Sequence, residues 1–242
     1  MADRPVSRIS QAYPDRVEVR GRDLTGDLMG RVTFTEYFHL LLTGQEPTED
    51  QRFFLDLLLV SIAEHGMMPT NVAARMTLAA DPESLQGAVA AGILGAGPVV
   101  LGTAEECARL LAEAEAGRRS AEEVAREYRE SGRKVPGFGH PVHKLVDPRA
   151  ERILELAHEH EVAGAHVAFA RSLRDEVHPL PMNVSMPIAA VMLDLGFPAT
   201  VVKAVPILAR TAGLLAHLAE EGQEPIGFLL ARAAEEAVEY ER

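Results

Sequence analysis

Lys134-Val135-Pro136-Gly137-Phe138-Gly139-His140-Pro141-Val142-His143-Lys144, followed by Asp147-Pro148-Arg149, is the stretch on which the reading of this chain turns. Proline and two glycines do not belong in a helix interior, so the segment is a tight loop whose backbone amides can approach a flat or anionic ligand. It presents His140 and leads into a helix starting near Pro148, with Asp147 at the N-cap. Arg149 in the first turn runs against the helix dipole, which suits a guanidinium facing a bound anion. His140-x-x-His143 invites a metal reading. However, no Cys or His-Glu pair at ligand spacing completes a site, and Pro141 keeps the two off a shared helix face, so no metal is expected. From the residues alone, each histidine also reads as an ordinary surface or hydrogen-bonded loop residue.

Outward from this loop the chain is helical in pattern. Of its 242 residues 47% are hydrophobic and only 5% aromatic, with no Trp, and recurring Ala, Leu and Glu lose little on entering a helix. Residues 1–30 are polar, with a short strand expected at Val17-Glu18-Val19 and loop elsewhere. Thr33 and Glu36 make a capping box, after which Phe34, Phe38, Leu41 and Leu42 share a face up to Gly44. Pro47 and Thr48 open a second helix through Phe53, Leu57 and Val60 to about Glu64. Further helices are expected at 70–80, 83–95, 103–116, 120–131, 148–160, 163–177, 184–195, 198–220 and 226–240, with Pro206 kinking or splitting its own. Residues 84–97 are apolar nearly all round and small, which predicts a buried helix allowing close approach of a neighbour, including one across a subunit interface.

The net charge of -12 excludes a general nucleic-acid binder, which needs an excess of Lys and Arg for phosphates. It leaves room for a small anion held by a few local arginines. A lone cysteine, Cys107, forbids an intrachain disulfide. Met1-Ala2-Asp3-Arg4-Pro5 has no apolar signal core, and no run is expected to reach the roughly 20 apolar residues of a membrane span. The expectation is a cytoplasmic protein without nucleic-acid or membrane partners.

Pro-Gly-Phe-Gly-His followed by Asp-Pro-Arg closely resembles the central motif of citrate synthases. The resemblance continues in order along residues 20–220. Arg20-Gly21-Arg22-Asp23-Leu24 through Leu40-Leu41-Leu42-Thr43-Gly44-Gln45-Glu46-Pro47-Thr48 matches the N-terminal segment. Ala63-Glu64-His65-Gly66 with Asn71 and Ala73-Ala74-Arg75 matches the helix-end histidine segment, and 84–98 the helix leading to the active site. Residues 209–217 match the segment bearing a substrate arginine. In its shortness, and in Gly-His-Pro-x-His-Lys, the chain looks like the stand-alone citryl-CoA lyases.

The resemblance implies an all-α citrate synthase-like fold, with 1–100 and 183–242 as a larger domain and 101–182 as a smaller one closing over ligand, and a homodimer. It implies that His65, His140, Arg149 and Arg210 grip the oxaloacetate portion, and that Val135, Pro136, Gly137, Phe138 and Gly139 contact coenzyme A. CoA would be part of the substrate, with no permanently bound cofactor. Two positions depart from the family. Val100 stands where a histidine stabilises the acetyl-CoA enol, and Ser185 where an aspartate moves its proton; Ser is no base near neutral pH without help. The implied activity is cleavage of citryl-CoA or a related 3-hydroxy-3-carboxyacyl-CoA. There His140 would take the alcohol proton, amides near Gly102 would stabilise the enolate, and water, Ser185 or His143 would reprotonate it. The alternatives are an enzyme of altered chemistry on another acyl-CoA or carboxylate, and a non-catalytic CoA and polycarboxylate binder. His39, His158, His160 and His166 read as surface or satisfied core residues, His178 as a minor candidate, and His217 as support for a helix C-terminus.

Overall fold

The computed structural model describes residues 5–241; residues 1–4, read above for a signal core, lie outside them. The chain divides into two compact units, one ending at Asp56 and one beginning at Leu57. The first opens with an antiparallel meander, β1 (Ser10–Ala12), β2 (Val17–Val19) and β3 (Arg22–Asp23). Only β2 was legible, because strands of two or three residues, one of them wholly exposed, carry no period to read. Arg20 and Gly21 both take positive φ, 52° and 78°, as two-residue hairpin loops do. Asp23 then caps a single π-turn at Leu24–Leu28, its Oδ1 accepting from the amides of Thr25 and Gly26. Helix α1 (Phe34–Thr43) starts on the expected Thr33–Glu36 capping box and ends at Gly44 with φ 79°. Its buried side chains are Thr35, His39 and Leu40, whereas Phe34 is exposed. The core of this unit gathers on Val19, Leu28 and Leu40 with Leu41 packed against it; Phe38 and Leu42 of the expected face are partly buried, and Phe34 alone is exposed.

The unit boundary falls within α2 (Glu49–Ala63). Here too the phase differs from expectation: Phe54, Leu55, Leu58 and Ile62 are buried and Val60 is exposed. In the second unit, α3 (Pro69–Ala80), α4 (Leu85–Leu94), α10 (Ala204–Glu221) and α11 (Gly227–Glu236) pack together. Their shared core comprises Ala74, Leu78, Ala88, Leu214 and Leu218. Within the single chain α4 is only partly covered: Ala88 and Gly92 are buried, and Leu94 is 86% exposed. The close approach is real at Gly92, where a Cβ would stand 2.7 Å from Leu214 Cδ1 and 2.9 Å from the Thr70 carbonyl.

The helix buried all round is instead α9 (Ser185–Asp194), whose residues 186 and 188–192 have no exposed surface. Packed on it are α5 (Thr103–Ala116), α7 (Pro148–Glu159) and α8 (Ala165–Val177), with α6 (Ala121–Glu130) against α8. The long stretch Ala199–Glu221 breaks before Pro206, into a 3-10 turn (Ala199–Val201) and α10, where Pro206 occupies the first turn, the place a helix tolerates proline. These 23 residues are long and apolar enough to cross a membrane by length and composition, contrary to the sequence expectation. Arg210, Glu221 and the packed Leu214 and Leu218 on the buried face give the stretch the pattern of a core helix instead.

Candidate active site

The Pro-Gly-Phe-Gly-His loop is held against the segment that starts α9. Gly139 N–H donates to the Pro181 carbonyl at 2.7 Å, Asn183 N–H to the Gly137 carbonyl at 2.8 Å, and Asn183 Nδ2 to the Gly139 carbonyl at 3.0 Å. Gly137 is required twice over: its φ is +83°, and a Cβ would lie 2.8 Å from both Cys107 Sγ and Met186 Cβ. Burial pushes the Cys107 thiol far above its ordinary value, so this sulfur is packing, not chemistry. Residues 135–141 form one wall of a cavity of about 760 Å³, with Pro179–Pro181 also lining it and Arg133, Lys134 and Lys144 supplying cations. The five residues expected to touch coenzyme A all line this cavity; His178 does not.

Three imidazoles converge beside it. His65, just past the end of α2, lies with its ring centroid 5.2 Å from His140 and 5.5 Å from His143, and the latter two are 4.5 Å apart. His65 Nε2 and His143 Nε2 are 3.4 Å apart. Burial foremost, with the neighbouring charges of Arg149 and His143, lowers the pKa of His65 below the ordinary 6.5. Burial and His143 do the same to His140. Both rings are therefore neutral near pH 7. In His140, Nδ1 accepts from the amides of Val142 (3.1 Å) and His143 (2.9 Å). The neutral ring accordingly carries its proton on Nε2. In this tautomer His140 offers an Nε2–H donor and no lone pair at Nε2, which argues against the expectation that it takes the alcohol proton. Across the His65–His143 contact one Nε2 donates and the other accepts, so an Nε2 lone pair becomes available to a ligand that displaces this contact.

A second layer holds His65 in place. Glu64 accepts from the backbone amides of His65 and Gly66 at 2.8 and 2.6 Å, and from Asn71 Nδ2. Burial would raise the Glu64 carboxyl, but His217 and those amides hold it below its ordinary value. His217 Nε2 lies 3.0 Å from Glu64 Oε2, and His217 Nδ1 accepts from Arg75 Nε at 3.0 Å. A ring that accepts at Nδ1 must donate at Nε2, so Arg75 fixes the tautomer that His217 offers to Glu64. His217 thus belongs to this network and is not a helix-end support. Arg75 is wholly buried and also pairs with Glu221 at 2.9 Å and with Glu220. Asn71 Oδ1 accepts from Arg210 Nη1 at 3.1 Å, tying the same layer to the expected substrate arginine. Sequence reasoning placed Glu64 and Arg75 in the family's histidine segment without giving them a role, and missed Glu221; the available signal for Arg75 and Glu221 was a charge set within helices α3 and α10.

Arg210 is buried, and desolvation with Arg149 nearby lowers its pKa. Its Nη2 donates to the Ile62 carbonyl at 3.3 Å, and its Nε is buried without a partner. Arg149 folds back onto its own helix cap: Nε and Nη2 bind the two Asp147 oxygens at 3.0 and 2.8 Å. Asp147 also receives Val184 N–H at 3.1 Å, so one buried carboxylate joins the starts of α7 and α9. Arg149 keeps 21% of its side-chain surface, enough to face an anion.

The two departures are seated differently. Of the amides near Gly102 expected to serve an enolate, that of Gly102 itself donates to the carbonyls of Gly97 (2.9 Å) and Val100 (2.8 Å). It is consumed by the turn that carries Val100, which removes it as an oxyanion donor. Ser185 is buried at the first position of α9 and its N–H donates to Asn183 Oδ1 at 3.0 Å. Its hydroxyl makes no hydrogen bond to the three imidazoles among the described residues.

The family described as "Citrate synthase, C-terminal domain" matches residues 31–227. A putative citrate synthase 2 of Mycobacterium tuberculosis (strain ATCC 25618 / H37Rv) is 36% identical over 180 residues, 69% of this chain and 47% of that protein. Citrate synthase 2 of Bacillus subtilis is 29% identical over 194 residues, 77% of this chain and 51% of its own. The chain thus spans about half the length of the curated relatives it matches. Among solved structures, citryl-CoA lyase from Hydrogenobacter thermophilus superposes with a TM-score of 0.83 at 34% identity, covering 89% of this chain and 86% of that one. Citrate synthase from Thermotoga maritima gives 0.68 at 25% identity, covering 80% and 55%. The chain belongs to the citrate synthase family, on a citryl-CoA lyase-like branch of its all-α fold.

Proposed function

We propose that this protein cleaves citryl-CoA, or a related 3-hydroxy-3-carboxyacyl-CoA, to oxaloacetate and acetyl-CoA. The observation that carries the reading is the cluster of three imidazoles at the mouth of a cation-flanked cavity. Support comes also from the likeness to a citryl-CoA lyase over nearly the full length of both chains. In the step proposed, His140 Nε2–H holds the tertiary oxygen and the unprotonated member of the His65–His143 pair accepts its proton. The carbonyl forms, the carbon–carbon bond breaks, and its electron pair passes to the thioester as an enolate. Water, or the Ser185 hydroxyl after a small shift, gives a proton to carbon, and the imidazolium passes the alcohol proton back to the oxygen so left, closing the balance. Arg149 and Arg210 grip carboxylates, and residues 135–139 take the CoA. Coenzyme A enters as part of the substrate, and no resident cofactor is needed.

A synthase is disfavoured because neither Val100 nor Ser185 is a base strong enough near neutral pH to remove the acetyl proton, whereas protonating an enolate asks only for a donor. Those same replacements favour, as a second reading, a non-catalytic binder of CoA and polycarboxylates. Incubation with citryl-CoA, with oxaloacetate followed through a coupled dehydrogenase, decides between them. Release supports the lyase, and calorimetric binding without release supports the binder.

The proposal includes a homodimer, since Leu85 and Leu94 on α4 and Phe228 and Leu229 on α11 are exposed and would be covered in one. It also includes closure of 101–182 over ligand and a cytoplasmic setting suited to an acyl-CoA. Sedimentation showing only monomer would count against the dimer.

A further inference from the structure

The loop spacing argued against a metal, because His140 and His143 alone make no site. The structure adds His65 from a segment 75 positions earlier than His140, and the ligating nitrogens of all three then lie within 4.8 Å of one another. We propose that these histidines form a site for a divalent transition metal of the zinc and cobalt type, whose occupancy excludes the carboxylate ligand. A tetrahedral ion with metal–nitrogen bonds of about 2.0–2.1 Å needs ligand nitrogens roughly 3.3–3.4 Å apart. His65 Nε2 and His143 Nε2 stand at 3.4 Å. The spacing of this edge thus already matches that of a tetrahedral ion. All three rings are half-buried, reachable by an ion yet shielded from bulk water.

The surrounding charges do not repel a dication as strongly as two arginines suggest. Arg149 is matched by its bidentate Asp147, and Glu64 stands close enough to Arg210 to bias it electrostatically. His140 is the reluctant third ligand. Its Nδ1 accepts two amide protons, and binding through Nε2 requires Nδ1 to take up the ring proton and release those bonds. The order of importance follows: His65 and His143 first, His140 last. Exclusion of carboxylate follows from the same atoms. A metal needs the Nε2 lone pair, whereas a carboxylate or keto oxygen needs Nε2–H, and one nitrogen cannot serve both.

The test is titration of the full chain, free of CoA and carboxylates in a non-chelating buffer, with Co²⁺ read by visible absorption and Zn²⁺ by competition with a chromophoric chelator. One equivalent should bind with the intense bands of a nitrogen-ligated, low-coordinate cobalt. His143→Ala and His65→Ala should each weaken binding about tenfold or more, and His140→Gln by less. Should His65→Ala fail to fold, His143→Ala, on a loop, carries the test alone. Absence of the bands, or bands unchanged in His143→Ala, overturns the proposal. No turnover is needed, so its failure leaves the cleavage reading standing, and the reverse holds equally.

Discussion

Replacing Arg75 with methionine, a side chain of comparable length, removes the one cation that serves three partners beneath the site. Glu220 is 61% exposed, so losing its ion pair costs little, between zero and about 1 kcal/mol. Glu221 is different: its side chain is 2% exposed, and removing one member of a buried pair costs about 3–5 kcal/mol because the other charge is stranded. The lower end applies, since Glu221 Oε1 keeps the amides of Ile226 and Gly227 at 2.9 and 2.7 Å. The donor lost to His217 adds about 1 kcal/mol, for a total near 4 kcal/mol, or a fall in Tm of roughly 8–16 °C for a chain of this size. Urea denaturation and thermal melting of Arg75→Met give the number. The double variant Arg75→Met with Glu221→Gln should recover much of it, because no charge is then buried unpaired. A loss below about 1 kcal/mol, or additive losses in the double variant, refutes the reasoning.

Other consequences are as direct. Gly213→Ala would set a Cβ 2.1 Å from the Ala63 carbonyl and 3.1 Å from Glu64 Oε2, so it should push the end of α2 away, displace His65 and raise the Kd for citrate measured by calorimetry. Gly137→Ala forces an L-residue to φ +83° against Cys107 and Met186. It should weaken CoA binding more than citrate binding, since residues 135–139 line the cavity and His65 lies elsewhere. His65 and His140 have folded pKa values lowered from 6.5. Below 6.5 the unfolded chain therefore binds protons that the folded one resists, and Tm should fall as pH drops through that window while staying flat above it for these two groups. Citrate should offset the loss by pairing with the imidazolium forms; a Tm independent of pH between 7 and 5 in His-intact protein contradicts the assignment.

Much of this was legible in the sequence, for identifiable reasons. Helices announced themselves through caps and stops, as at Thr33 with Glu36, Asp147 with Pro148, and Gly44. Their buried faces were less legible where the core lies to one side, so that Leu40 and Phe54 are buried while Phe34 and Val60 are not. For residues 84–97 an apolar composition says that a helix is covered, not by which chain, and within one chain the cover is partial. The short strands β1 and β3 are too brief to carry alternation. At the site, His140 could be read from its own loop, but its tautomer is set by two amides that only folding brings to Nδ1. The Arg75–His217–Glu64 relay joins positions up to 153 apart and leaves no local pattern. The amides near Gly102 show the converse: that of Gly102 itself is spent within its own turn, which the sequence does not display.

The measurement closest to the central claim is cleavage of citryl-CoA by the wild-type chain beside His140→Ala and His143→Ala, with oxaloacetate and acetyl-CoA quantified together. The account predicts equal amounts of the two products from the wild type. It predicts losses of about a hundredfold or more in each variant, the scale of removing a positioned donor or base. Equal products at undiminished rate in His140→Ala, or no product from the folded wild type that nonetheless binds citrate and CoA, would contradict it.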